Sequence, residues 1–312
     1  MIINHWHSQF TAQYGHLFPT TYLVLDIETS GNKKEEDVVV ELGHVIVKDC
    51  LIADKLNVVL NWYKHAAMSA ATLDAKLFRM RDIIGSAWKL LPSKLHTEGI
   101  DPIAGLNFYY DLLHTWIEAK LPFVAQNGLA TEERILNATF KRFLGKPFSF
   151  PDNLYFDTGA LFKATYVYEA KDSSLAPYRN IVLPSKTESL KDYCKRIIYA
   201  KTGNVSWSVA KMLNYYGLFE KHAIDSDTLH CAMHDCLCLV YIMEEFRSRI
   251  TCSNLDVNEL KTEEGFARVM TEEFAIRKLE KEAEIKTAEA KKAPSVARHI
   301  VDRVPIRRQR KV

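Results

Sequence analysis

The 312-residue sequence has no apolar run reaching the ~18 residues that span a bilayer. Its first residues, Met1-Ile2-Ile3-Asn4-His5-Trp6-His7, do not pair a charged start with an apolar stretch as a secretory leader does. The expectation is therefore a cytoplasmic protein with no membrane association. Six cysteines without regular spacing do not make a disulfide framework, so they read as reduced thiols. There is little excess of charge of one sign: 41 basic against 39 acidic residues leave a net +2, which by itself excludes little. The exception is the end of the chain. There Arg298, Arg303, Arg307, Arg308, Arg310 and Lys311 stand against Asp302 alone. With 47% hydrophobic residues, the chain can bury one sizeable core, or one core and an appendage.

What is present is organised around Thr21-Tyr22-Leu23-Val24-Leu25-Asp26-Ile27-Glu28-Thr29-Ser30-Gly31. This apolar, β-branched and aromatic run has strand length and stops at a Ser-Gly turn pair. Asp26 and Glu28 are two residues apart, so on a strand their side chains leave the same face. Two buried carboxylates on one face repel each other and resist desolvation, and a divalent cation relieves both. The competing reading is the solvated end of a strand.

The flanking chain reads as an α/β fold. Residues 1–20 place Trp6, Phe10, Tyr14 and Phe18 four apart, a face suited to packing on the body. Val38–Val47 and Leu51–Trp62 read as two further strands joined by Lys48-Asp49-Cys50, an antiparallel meander. Residues 66–91 look irregularly helical, and 95–102 look like a break. Helices are expected over about 103–119, 132–144 and 209–216, with another from Ser189, and strands near 121–127 and 153–156. Asp157 suits a helix N-cap. Residues 166–186 look like an extended loop that borders a substrate. Asp225-Ser226-Asp227-Thr228 supplies caps for a long helix to about Phe246. Residues 251–290 read as a charged helical extension, and 291–312 as a basic, disordered tail that either grips phosphates or docks a partner protein.

His230 and Asp235 lie five residues apart, roughly 140° around a regular helix, and so do not share a face. Acting together, they require His230 on the loop or first turn ahead of the helix that carries Asp235. Cys231, His234 and Cys238 invite a zinc reading, but no second ligand pair with suitable spacing accompanies them, and buried thiols fit better.

Four stretches in order resemble the ribonuclease H-like 3′-5′ exonucleases of the DEDD class, in the branch whose last motif carries a histidine. They are Asp26-Ile27-Glu28-Thr29-Ser30-Gly31, His96-Thr97-Glu98-Gly99-Ile100 with Pro102, Val124-Ala125-Gln126-Asn127-Gly128, and His230-Cys231-Ala232-Met233-His234-Asp235. The resemblance covers about residues 20–250. It implies a mixed central sheet flanked by helices over 21–250, and release of nucleoside 5′-monophosphates from nucleic-acid 3′ ends, single-stranded ends above all. It also implies two Mg2+ or Mn2+ ions held by Asp26, Glu28 and Asp235, His230 as the group that takes a proton from the attacking water, and substrate contacts from Thr29, His96 and Asn127. One position departs from the family. Its aspartate four residues after the asparagine falls on Thr131, followed by Glu132 and Glu133. Either Glu132 reaches the same metal, or the second site is weakened and the protein is an inactive nucleic-acid-binding or scaffold relative of the same fold.

Overall fold

The computed structural model describes residues 5–65, 68–169, 173–202 and 205–251. The expectations for 252–312, the rest of the charged extension and the basic tail, lie outside the described residues. Helix α1 (His5–Tyr14) comes first, and its period of four turns Trp6, Phe10 and Tyr14 inward, while Phe18 beyond the helix is buried against Phe156. The Trp6 indole donates to the Tyr193 hydroxyl at 2.8 Å.

Strand β1 (Tyr22–Thr29) follows and is the middle of the sheet. It runs antiparallel to β2 (Val39–Lys48), which pairs antiparallel with β3 (Leu51–Val59). Asp49 and Cys50 make the tight turn between them at φ 51° and 64°, the left-handed pair a two-residue hairpin needs. Helices α2 (Ala70–Ile84), α3 (Pro92–Glu98) and α4 (Pro102–Glu118) intervene before β4 (Phe123–Ala125). After α5 (Glu132–Leu144) comes β5 (Tyr155–Asp157), then α6 (Thr158–Glu169). Strands β4 and β5 add parallel to β1, giving the order β3-β2-β1-β4-β5. This is the mixed sheet flanked by helices that the sequence leads one to expect. Leu23, Val24 and Leu25 are fully buried because helices cover the sheet, which explains an apolar run without alternation.

The chain ends, within the described residues, with α7 (Leu190–Tyr199), α8 (Val209–Tyr215), the single turn α9 (Leu218–Lys221) and α10 (Ala232–Thr251). No described helix is long and apolar enough to cross a membrane.

Three local expectations need correction. Within 95–102, where a break was expected, residues 95–98 are helical, because α3 starts at Pro92 and buries Leu95; the break is confined to the three residues 99–101 ahead of α4. The stretch 166–186 is less extended than its prolines suggest: α6 continues to Glu169, and Ser173–Tyr178 forms a 3-10 turn. Arg196 and Tyr193 of α7 then hold it through the carbonyls of Ile181, Leu183 and Val182. Asp225 caps its own 3-10 turn over Ser226–Thr228 rather than α10, which begins only at Ala232.

Candidate active site

Strands β1, β4 and β5 run parallel, so their C-terminal ends share one edge of the sheet, and that edge gathers the acids. Asp26 and Glu28 leave one face near the end of β1. In the β1–β2 register Gly43 stands opposite Asp26, and Glu41 opposite Glu28. A Cβ at Gly43 would lie 2.3 Å from Ala232 C and Met233 N, so the missing side chain lets the start of α10 settle onto the strand. That contact brings Asp235 over β1, more than 200 residues away along the chain. His230 precedes the helix at φ 63°, a conformation uncommon outside glycine, and its backbone N–H donates to Asp235 Oδ2 at 3.2 Å. One donor atom each from Glu28, His230 and Asp235 lie within 4.8 Å of one another.

The electrostatics bind Asp26 and Glu132 into the same group. Burial raises the Asp26 carboxyl well above its ordinary value, and Asp235, Glu28, Glu132 and Glu41 push it further. Glu28 is raised in the same way, by burial and then by Asp235, Glu41 and Glu132. Burial lifts Glu132 to about 8 and Asp235 to about 7. Elevation of this kind, from burial joined at Asp26 and Glu28 by neighbouring acids, marks carboxylates without counter-charge. Two oxygens are orphaned outright: Asp235 Oδ1 and Glu132 Oε2 are buried without a hydrogen-bond partner. Burial also lowers the His230 pKa, which favours the neutral ring.

The two glutamates after Thr131 part company. Glu132, the first residue of α5, is 3% exposed and faces the acids. Glu133 instead accepts from Phe150 N at 2.8 Å and pairs with Lys191 at 2.9 Å.

The remaining residues singled out in the sequence are placed differently. Asn127 sits at φ 57° just past β4, with a buried Oδ1 that has no partner. The Thr29 hydroxyl donates to the Gly31 carbonyl at 2.7 Å. His96 is exposed on α3 and stacks on Tyr63 at 4.1 Å. Cys231 immediately precedes α10, which carries His234 and Cys238.

Two residues have parts in this region that the sequence did not reveal, at Asp157 beyond the helix cap expected there. Asp157, fully buried, accepts from Asn127 N at 3.1 Å, Gly128 N at 2.9 Å and Ala160 N at 3.0 Å, so it shapes the turn after β4 as well as capping α6. Glu41 is fully buried near the start of β2. An acid inside the apolar run Val38–Val47 is the signal that could have found it.

The donor set suits a divalent cation. Carboxylate oxygens are the ligands Mg2+ and Mn2+ take, and orphaned buried oxygens under mutual repulsion are what a cation stabilises.

No family model matches the chain, and no curated protein sequence matches it. Among solved structures it is similar to Escherichia coli exonuclease I. The complex with a dT13 oligonucleotide is 15% identical at a TM-score of 0.48, covering 75% of this chain and 42% of that one. The zinc-bound complex with single-stranded DNA is 14% identical at 0.47, covering 74% and 41%. The metal-free form of that complex is 14% identical at 0.44, covering 74% and 40%. The chain thus spans about two fifths of the length of the structures it resembles.

Proposed function

We propose that this chain is a metal-dependent 3′-5′ exonuclease that hydrolyses phosphodiester bonds at single-stranded nucleic-acid ends and releases nucleoside 5′-monophosphates. One observation carries the reading: Asp26, Glu28, Glu132 and Asp235 come from three separate elements to one buried place, where Asp235 and Glu132 keep orphaned oxygens, all four carboxyls are raised by burial, and His230 stands beside them. The order of the four sequence motifs supports the same chemistry.

Asp26, Glu28 and Asp235 would hold the metal, with Glu132 as the fourth carboxylate in place of the family's aspartate. Bound there, two Mg2+ or Mn2+ ions supply positive charge that offsets the charge developing on the phosphate. His230 does the proton work. Its lowered pKa keeps a ring nitrogen free at neutral pH to accept the proton of the attacking water. The left-handed backbone at His230 and its bond to Asp235 hold the ring against the carboxylates. The unpartnered Asn127 Oδ1 is free to accept from a substrate hydroxyl at the end of β4.

The test is digestion of 5′-labelled single-stranded DNA and RNA with Mn2+, beside Asp26→Ala and an EDTA control. The reading expects a one-nucleotide ladder from the 3′ end that Asp26→Ala and EDTA both abolish. Equal degradation by wild type and variant would remove it. Mn2+ and oligonucleotide binding without cleavage would favour the inactive binding protein, with Thr131 as the weakened position.

A further inference from the structure

Glu41 poses a physical problem that the hydrolytic reading leaves unexplained. It faces Glu28 directly across an antiparallel pair, fully buried, where like charges destabilise the sheet. Three donors from three elements answer it. Asn57 Nδ2 of β3 donates to Oε1 at 2.7 Å, Lys94 Nζ of α3 to the same oxygen at 3.1 Å, and the backbone N–H of Ala232 to Oε2 at 2.9 Å. Ala232 is the first residue of α10, so Glu41 caps that helix from a neighbouring strand, where the caps expected at 225–228 do not reach. Below it Gly43 lets the helix touch the strand, and Cys236 Sγ donates to Gly43 O at 3.4 Å one turn further on. Ala232 lies between His230 and Asp235 in sequence, and whatever fixes it fixes both.

We infer that Glu41 is a positioning residue for the carboxylate centre: bonded to Ala232 N and held by Lys94 and Asn57, it sets where His230 and Asp235 stand relative to Glu28. The inference rests on the nuclease reading for what the centre does, but not for its own geometry. Glu41 is distinct from the proposed ligands because both its oxygens are already engaged, whereas Asp235 and Glu132 each keep one orphaned.

Two variants with opposite chemistry test this. Glu41→Asp keeps the charge but is one methylene too short for Ala232 N. Glu41→Gln made with Lys94→Met keeps the length and the acceptor, leaves no lone cation, and offers its amide N–H to Asn57 Oδ1, which has no partner and comes to face it when the Asn57 amide turns by 180°. In metal-free protein, hydrogen exchange by NMR should show the Ala232 amide losing at least about tenfold protection in Glu41→Asp, with β1 amides unchanged, and near-normal protection in the double variant. By calorimetry, Mn2+ affinity should fall about 10- to 100-fold in Glu41→Asp and stay close to wild type in the double variant. The kcat should fall with affinity while KM for the oligonucleotide holds. Retained Ala232 protection in Glu41→Asp overturns the inference. So does Mn2+ affinity better preserved in Glu41→Asp than in the double variant, which would make Glu41 a ligand or a bare charge. If Glu41→Asp does not fold, loss of Ala232 protection in the double variant overturns it instead. Wild-type protein that binds no Mn2+ would sink the nuclease reading, while the exchange comparison would still decide the role of Glu41.

Discussion

Asp157 and Asp235 are both buried aspartates near the same edge of the sheet, and the chain treats them oppositely. Around Asp157 it supplies three backbone N–H groups and the Tyr155 hydroxyl, so both oxygens are bonded. Around Asp235 it supplies the N–H of His230 to one oxygen and nothing to the other, and adds four more acids nearby. A buried carboxylate satisfied by its own backbone is structural. One left short of donors costs stability unless something outside the chain completes it.

Asparagine substitutions sharpen that contrast most. Asp235→Asn should lower nuclease activity by at least about 10³-fold, yet raise the melting temperature of the metal-free protein by relieving repulsion. Asp157→Asn should destabilise the protein by about 2 kcal/mol, since an amide cannot accept from every donor there. Activity of both variants and denaturant melts in EDTA check this, and stability changes of the same sign in both would break the comparison.

Next in size is His230→Ala, expected to reduce kcat about 10²-fold or more. In wild type the acid limb of the kcat profile should fall below pH ~6.5, the ordinary histidine value, because burial lowers the pKa. A limb above that value would assign the proton to another group.

The metal-free protein should also lose stability with rising pH. Unfolded carboxyls titrate near pH ~4, whereas Asp235 and Glu132 are raised to about 7 and about 8 in the fold. The folded state therefore binds more protons between those limits, and stability present at low pH is lost as pH rises through the folded values. A loss on the order of 5 kcal/mol between pH ~5.5 and ~8 in EDTA is expected, and Mn2+ should restore more at the upper end. Melting curves that are flat or rise with pH would contradict the repulsion.

The smallest effect separates the adjacent glutamates. Glu132→Gln should cost activity about tenfold or more, whereas Glu133→Gln, whose partners are Lys191 and Phe150 N, should stay within about threefold of wild type. Equal losses would mean that the orphaned Glu132 oxygen does not mark the site.

Much of this was readable from sequence because it rests on local periodicity. Strands β1 to β3 follow from apolar runs and a short turn, and α4 and α5 from three- and four-residue spacing. The His230 placement ahead of its helix follows from counting degrees per residue. What failed was local structure decided at a distance. Helix α3 depends on burying Leu95 under a short turn, and the 166–186 stretch is fixed by carbonyl contacts to Arg196 and Tyr193. Glu132 and Glu133 are nearly equivalent as a sequence pair, and Phe150 N and Lys191, both distant along the chain, engage Glu133 and not Glu132.

By itself the sequence determined the strands, the faces they present and the pairing of Asp26 with Glu28, since those follow from backbone periods of two and 3.6. Only the tertiary structure decided which oxygens remain without donors and how α10 is seated against Gly43 and Glu41. Those depend on groups that no local pattern relates, brought together when helix and sheet close over the same edge.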